Sequence, residues 1–217
     1  MTANKLLLWI IPKNNSIKYV TKSEKESAET LNPQKKRQYL QSRSHLRETL
    51  SYFLKIEPNN VPLFAKVGII PYIPNNLGYI SLSHSENALL IGWSTYKLGV
   101  DIEKYKRNFN AEKISRRYFA PKEQNSLKKI KNNADFKDNV LKYWVLKEAV
   151  IKLHQGGIAK DLSNWQIEKN QHKAFNNKLK INSYVKNILF DEWVIGIASD
   201  ILNLAKINII ICNSISK

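Results

Sequence analysis

The sequence predicts an α+β fold, organised as two similar halves of about 100 residues each. Short apolar runs with the two-residue period of β-strands occur near both ends of the chain, and helix-like segments separate them. The order strand, helix, strands, helices, strands is typical of α+β domains. With 217 residues, the chain is long enough for one large domain or two small ones.

The N-terminal half is predicted to begin with a strand, a long helix and a loop. Residues 1–12 contain six consecutive apolar residues, which favour a buried strand because no small-residue cleavage site follows them. Asn32 and Pro33 suit the cap and first turn of a helix over 33–55. Residues 57–78 are rich in proline and are predicted to be mostly loop.

The rest of the chain is predicted to alternate groups of strands and helices. Strands are expected at Tyr79–Leu82, Ala88–Ser94 and Leu98–Glu103, and later at 164–169, 178–184, 193–199 and 206–212. Helices are expected over 110–118, 121–131 and 139–154, the second with Pro121 in its first turn.

The composition excludes several classes of site. A lone cysteine, Cys212, excludes an internal disulfide and a cysteine-rich zinc site. The four histidines are too scattered for a histidine metal site. No apolar run approaches the roughly 18 residues that a membrane span needs. We therefore expect a cytoplasmic protein with no membrane partner.

The charge balance is strongly basic, at a formal net +17. Codon bias explains the preference for lysine over arginine but not the scarcity of acidic residues. The excess therefore indicates a working positive surface. Charge alone does not choose among its partners: nucleic acid, a membrane, an acidic protein or a phosphate-rich ligand.

The first candidate site is a pair of carboxylates on a predicted strand, Gly99–Glu103. Asp101 and Glu103 share one face, while Val100 and Ile102 point to the core. Two carboxylates on one face repel each other unless a cation or a proton lies between them. Hard oxygen ligands of this kind suit Mg²⁺. The alternative is a solvated strand edge with two ordinary acids.

The second candidate site lies on the helix predicted over 139–154. Glu148 and Lys152 are four residues apart and share a helix face. The helix is apolar almost all round, which predicts that it is buried. Lys147, Glu148 and Lys152 would then face a pocket. The alternative is a simple salt bridge on an exposed stripe.

The third candidate site is the segment Ser81–Ser85, at the end of a predicted strand. Hydroxyl groups, backbone N–H groups and the imidazole of His84 can together hold a phosphate. A capped turn with a surface histidine explains the same residues.

Taken together, these segments resemble the paired signature of 4'-phosphopantetheinyl transferases. The signature is Gly99-Val100-Asp101-Ile102-Glu103, followed by Trp144-x-x-Lys147-Glu148-Ala149-x-x-Lys152. The chain length and the upstream Ser83-His84 are similar to the monomeric, surfactin-synthetase-associated (Sfp-type) branch. The resemblance runs from about residue 33 to 165.

The resemblance implies a fold and a reaction. The fold is a pseudo-dimer of two similar α+β halves, residues 1–96 and 97–217, with the active site in the cleft between them. The reaction moves 4'-phosphopantetheine from coenzyme A to a serine hydroxyl of an apo carrier protein and releases 3',5'-ADP. Mg²⁺, or Mn²⁺ in its place, is the implied cofactor. The implied partner is an acidic acyl or peptidyl carrier protein, and no nucleic acid is bound.

The resemblance also implies roles for individual residues. The metal ligands correspond to Asp101, Glu103 and Glu148. The coenzyme A contacts correspond to Arg37, Ser83, His84, Lys147 and Lys152. Glu148, or a metal-bound water near it, would take the serine proton, and Lys152 could protonate the departing phosphate.

Two departures from the family pattern leave the adenine and 3'-phosphate contacts open. Ile69-Ile70-Pro71 stands where relatives usually carry Gly-Lys-Pro, and Gln155-Gly156-Gly157 stands where they tend to carry Gly-Lys-Gly. The role of Glu123, which matches a recurring glutamate, is open as well. A basic RNA- or DNA-binding module and an inactive relative are the remaining alternatives.

Overall fold

The structure is a computed structural model that describes residues 5–12, 16–156, 161–168, 170, 172–201 and 203–212. Its strands and helices are, in chain order, β1 Leu6–Pro12, α1 Lys22–Ala28, α2 Pro33–Leu54, β2 Tyr79–Ser85, β3 Ala88–Ser94, β4 Gly99–Lys104, α3 Ala111–Tyr118, α4 Pro121–Leu127, α5 Asn133–Leu153, β5 Trp165–Ile167, β6 Lys173–Asn176, β7 Ile181–Phe190, β8 Trp193–Ser199 and β9 Ile209–Cys212. The predicted α+β class is confirmed.

The strands form two sheets. The first has the order β2-β3-β1-β9 and the second the order β4-β8-β7-β6-β5. All pairs are antiparallel except β1 with β9, which run parallel with Leu6 opposite Ile209. The last described strand therefore returns to the sheet that contains the first one.

Three large apolar clusters and one small one, Leu141, Val145 and Val194, stabilise this arrangement among the described residues. One lies between the sheets and joins β1 and β3 to β4 and β8; it contains Val100 and Ile102, both fully buried. A second packs α2 against the first sheet through Leu46 and Leu50. The third packs α5 against the second sheet. No helix in the described part of the chain is long and apolar enough to cross a membrane.

Most predicted elements are present, with shifted ends. β2 continues to Ser85, so Ser83 and His84 lie within a strand rather than after one. α5 begins at Asn133, where Asn132 caps the N–H groups of the first turn. The strand predicted over 178–184 begins only at Ile181. The side-chain oxygen of Asn176 accepts hydrogen bonds from the backbone N–H groups of Lys178 and Leu179, and the chain turns there.

Candidate active site

The two sheets meet where β2 and β4, each at a sheet edge, lie side by side. Alternate serines of β2 face β4, and their hydroxyl groups take the place of a backbone ladder. Ser81 Oγ accepts a hydrogen bond from the N–H of Val100 at 3.0 Å, and Ser83 Oγ accepts one from the N–H of Ile102 at 3.4 Å. The N–H groups of Val100 and Ile102 at this edge of β4 are thereby hydrogen-bonded, although no continuous sheet joins β4 to β2.

The same serines orient the two carboxylates of β4. Ser83 donates to Asp101 Oδ1 at 2.6 Å, and Ser85 donates to Glu103 Oε2 at 3.1 Å. The predicted shared face of Asp101 and Glu103 is therefore present, at the junction of the two sheets. Ser83 is buried and donates its hydroxyl to Asp101, which places it within the carboxylate cluster, and its contact with a coenzyme A phosphate stays a prediction.

Helix α5 approaches β4 and β8 closely enough to bring its side chains over the carboxylates. A β-carbon on Gly99 would lie 1.9 Å from the carbonyl oxygen of Ala149, and one on Gly196 would lie 2.2 Å from that of Val145. Only glycine allows backbones to meet at such a distance. The glycine that opens the first motif is thus explained by this approach.

Lys152 of α5 reaches Asp101 across this contact. Its ammonium nitrogen lies 2.7 Å from Asp101 Oδ1, the oxygen that also accepts the hydrogen bond from Ser83. The other oxygen, Asp101 Oδ2, is buried and has no hydrogen-bond partner among the described residues. A buried carboxylate oxygen without a partner is costly, and a bound cation would satisfy it.

Glu103 has its own cationic partner. The guanidinium group of Arg107, four residues further on, donates to Glu103 Oε1. Burial raises the pKa of Glu103, while the charge of Arg107 lowers it and the charge of Asp101 raises it further. The carboxylate is therefore held between an attractive and a repulsive neighbour.

Glu148 completes the group of three carboxylates. Burial, followed by the negative charge of Asp101, raises the pKa of Glu148 to about 7, and Lys152 opposes this shift. A carboxyl group that titrates near neutral pH can both accept and release a proton under ordinary conditions. Perturbed carboxylates of this kind are common in catalytic sites.

The donor set of the three carboxylates fits a hard divalent cation. Asp101, Glu103 and Glu148 lie close enough that their negative charges perturb one another. Asp101 Oδ2 has no hydrogen-bond partner among the described residues, and the pKa of Glu148 is raised, so added positive charge would stabilise both carboxylates. Within the described ranges, no three His, Cys, Asp or Glu side chains are already gathered around one point that could hold a metal ion. Instead, Asp101 and Glu103 contact Lys152 and Arg107. These residues suit Mg²⁺, which commonly binds few carboxylates and keeps several waters.

Lys147 lies in the core and pairs there with Glu123 rather than with the three carboxylates, and its contact with a phosphate stays a prediction. The side chain is fully buried, with its ammonium nitrogen 2.8 Å from Glu123 Oε2. It also donates to the carbonyl oxygens of Leu162, at 2.9 Å, and Trp165. All three N–H groups of the ammonium are thereby used inside the core.

Glu123 is the centre of this internal contact. Its carboxylate accepts hydrogen bonds from the N–H of Ala120 and from the N–H of Ile167, both at 2.7 Å, and pairs with Lys147. It therefore ties the start of α4 to β5 and α5. Burial raises the pKa of Glu123 and lowers that of Lys147, and each partner's charge opposes the shift.

A cavity of about 480 Å³ lies between α2 and the outer face of β2. His84 is exposed there, on the opposite face of the strand from Ser83. Lys35 and Arg43 of α2 also line the cavity, whereas Arg37 is exposed and is not among its lining residues. Arg37 therefore lies outside this cavity, and its contact with coenzyme A stays a prediction.

Arg43 is a fixed cation in the wall of this cavity, and its orientation could not be predicted from the sequence. Its guanidinium carbon lies 4.6 Å from the centre of the Tyr39 ring, and its Nε donates to the carbonyl oxygen of Ala65 at 3.2 Å. The hydroxyl group of Tyr39 donates to the same carbonyl. Stacking and hydrogen bonding hold the group in one orientation.

Part of the sequence is similar to a known protein family. Residues 97–198 match the model of the 4'-phosphopantetheinyl transferase superfamily. The matched segment runs from just before β4 to the end of β8 and contains Asp101, Glu103, Glu148 and Lys152. At the level of the superfamily, the resemblance of the motifs is confirmed over this segment.

A curated relative supports the same assignment. The chain is 29% identical over 133 residues to the 4'-phosphopantetheinyl transferase HetI of Nostoc sp. strain PCC 7120, an alignment that covers 59% of this chain and 56% of HetI. The chain therefore matches little more than half the length of this relative. The assignment to the surfactin-synthetase-associated branch stays a prediction.

Proposed function

We propose that this chain transfers the 4'-phosphopantetheine group of coenzyme A to a serine hydroxyl of an apo carrier protein. The observation that carries the proposal is the convergence of three carboxylates and Lys152 at the junction of the two sheets, within the segment that matches the superfamily. We further infer that the two sheets with their long helices, α2 and α5, are the two halves of a monomeric pseudo-dimer.

Coenzyme A would span the two faces of β2. Its nucleotide end would occupy the cavity beside α2, where Lys35, Arg43 and His84 offer positive charge and hydrogen-bond donors to the 3'-phosphate. Its pyrophosphate would lie at the carboxylate cluster. Mg²⁺ or Mn²⁺ held by Asp101, Glu103 and Glu148 would supply charge neutralisation and a template for the pyrophosphate.

The protein's own side chains supply the proton transfers. The serine oxygen forms a bond to the β-phosphorus of coenzyme A, and the bond from that phosphorus to the bridging oxygen breaks, so 3',5'-ADP leaves with the electron pair. Glu148, whose pKa burial and the charge of Asp101 raise to about 7 in the metal-free protein, would accept the proton of the serine. Lys152 neutralises or protonates the departing phosphate.

The carrier protein would dock on a groove beside this site. The groove has a volume of about 560 Å³ and lies between α3, α4 and the start of α5. Its floor contains Phe109, Leu127, Ile130 and Phe136, and its rim includes Arg116, Lys128 and Lys137. Residues 104–147 contain 13 Lys or Arg and 4 Asp or Glu, a net charge of 13 − 4 = +9. Such a rim suits an acidic helical partner, with charge steering the encounter and apolar contacts fixing the register.

The basic nucleic-acid-binding module has less support. Base stacking requires exposed aromatic side chains, yet Trp9, Trp93, Trp165 and Trp193 are all buried. Tyr52, Phe64 and Tyr72 are exposed, but the rings of Phe64 and Tyr72 stack on each other. The positive charge serves an acidic protein equally well.

The direct test is to incubate the protein with coenzyme A, Mg²⁺ and an apo acyl or peptidyl carrier protein, and to weigh the carrier by mass spectrometry. The expected result is a gain of one phosphopantetheine group that EDTA prevents and added Mg²⁺ restores. No mass gain on carriers of either type, with tight RNA binding instead, would overturn the proposal.

A further inference from the structure

We propose that Arg107 is a positioning residue that holds Glu103 in the absence of metal and contacts the substrate's phosphate once a divalent cation binds Glu103. The phosphate part of this inference rests on the proposed function, whereas the metal part concerns this chain alone.

The geometry of Arg107 places its charge at the edge of the carboxylate cluster. The residue follows β4, and its N–H donates to the carbonyl oxygen of Lys104 in the turn that ends the strand. Its guanidinium group contacts Glu103 Oε1 and lies 5.0 Å from the centre of the Phe109 ring. Its charge also acts on Glu148, whose pKa it lowers against the effect of burial.

The hydrogen bonds of Arg107 are incomplete, unlike those of an arginine with a purely structural role. Its Nε is buried and has no hydrogen-bond partner among the described residues. Arg47, by comparison, is almost fully buried, pairs with Glu24 and donates to the carbonyl oxygens of Pro58 and Val61. Arg107 has a side chain that is 23% exposed, so it can reorient toward a ligand at the cluster.

The charge balance explains why such a residue is useful. Without metal, three carboxylates face two cations, Lys152 and Arg107, so the cluster is close to neutral. A divalent cation makes the same cluster positive and removes the need for Arg107 at Glu103. The guanidinium group is then available to the phosphate oxygens, for which its planar donors are suited.

The test uses Arg107→Gln, for which the proposal predicts opposite changes in the affinities for Mn²⁺ and for coenzyme A. Without coenzyme A, Mn²⁺ should bind about tenfold more tightly, because a competing cation has been removed from Glu103. With saturating Mg²⁺, coenzyme A should bind about tenfold more weakly, because a phosphate donor has been lost. Mn²⁺ binding is measured by electron paramagnetic resonance, and coenzyme A binding by calorimetry.

Two further variants make the result specific. Lys22→Gln removes the same charge from an exposed ion pair of the same i,i+4 spacing, Lys22 with Glu26 on α1, and should change neither affinity. Arg107→Lys keeps the charge and should hold Mn²⁺ affinity near that of the wild type while weakening coenzyme A binding. Thermal unfolding establishes that each variant is folded.

The inference is overturned if Arg107→Gln leaves both affinities unchanged, weakens both together, or tightens Mn²⁺ binding without affecting coenzyme A. A wild-type protein that binds Mn²⁺ but not coenzyme A refutes the proposed function instead, and with it the phosphate role of Arg107. The two failures are therefore distinguishable.

Discussion

The ammonium nitrogen of Lys152 lies 2.7 Å from Asp101 Oδ1, although 51 residues separate the two in sequence. The contact joins α5 to β4 and brings the two halves of the signature together at one point. It depends on the glycine at position 99, because any side chain there would hold the helix away from the strand. The arrangement of charge at this point leads to several predictions.

Lys152→Ala should lower kcat by about a hundredfold or more, with a smaller change in KM for coenzyme A. The lost charge is one that the transition state needs more than the bound substrate does. Steady-state transfer kinetics with an apo carrier provide the measurement. Lys178→Ala, in the exposed turn before β7, is the control and should match the wild type. Equal losses in both variants would argue against a role for Lys152 in the reaction.

Glu148→Gln should change the pH dependence of stability. Because folding raises the pKa of Glu148 to about 7, its native state binds more protons than the unfolded state between about pH 4.5 and pH 7. Metal-free wild-type protein should therefore lose up to about 3 kcal/mol of unfolding free energy from this group as the pH rises through that window. The glutamine variant should not show this loss.

The measurement is denaturant unfolding of both proteins at pH 5 and pH 8 in EDTA. Relative to the wild type, the free energy of unfolding of the variant should be higher at pH 8 than at pH 5. The variant should lose most transfer activity at either pH. Added Mg²⁺ should stabilise the wild type at pH 8 more than the variant, because the metal favours the ionised carboxylate. Parallel stability profiles for the two proteins would show that Glu148 is not perturbed as described.

Lys147→Met should destabilise the protein by about 3–5 kcal/mol, because it leaves the buried carboxylate of Glu123 without its cation. The measurement is chemical unfolding, read beside transfer kinetics at a temperature where the variant is folded. The folded fraction should keep a KM for coenzyme A close to that of the wild type. A stable variant with strongly raised KM would instead assign Lys147 to the phosphate.

Lys35→Ala should raise KM for coenzyme A about tenfold and leave kcat nearly unchanged, because a contact made equally in the ground and transition states affects binding alone. Lys35 lines the cavity beside α2, whereas Arg37, two residues further on, does not. Arg37→Ala is therefore the matched comparison, with a smaller expected effect. The reverse order of the two effects would move the nucleotide to the other side of the helix.

Much of the fold could be predicted because its signals are local. The shared face of Asp101 and Glu103 follows from the two-residue period of a strand. The start of α2 follows from the capping side chain of Asn32 and from Pro33 in the first turn. The contacts between β2 and β4 could not be predicted, because they depend on which sheet edges meet. The same holds for Arg43, whose orientation is set by Tyr39 and by a carbonyl 22 residues away.

Helix geometry separates Lys147 from Glu148 and Lys152. Residues five apart on a helix lie about 140° apart around its axis, whereas residues four apart lie about 40° apart. Glu148 and Lys152 can therefore share the site, but Lys147 and Lys152 point in different directions. The pairing of Lys147 with Glu123 depends on the tertiary structure, so it could not be predicted from the sequence.

The last prediction concerns the groove between α3 and α5. If an acidic carrier docks there, KM for the carrier should rise steeply with ionic strength, because the electrostatic screening length falls to about 8 Å at physiological salt. KM for coenzyme A should change less, because the proposed site of its pyrophosphate is the partly buried cluster around Asp101. Arg116→Glu with Arg117→Glu should weaken carrier use by about tenfold or more, since both side chains are exposed beside the groove.

Lys22→Glu with Lys25→Glu changes the net charge equally on the exposed surface of α1 and is the control. A general effect of net charge would weaken carrier use in both double variants alike, whereas a docking surface at the groove predicts a loss in the arginine variant alone. A carrier KM that responds to neither salt nor the arginine reversal would move the docking site elsewhere on the protein.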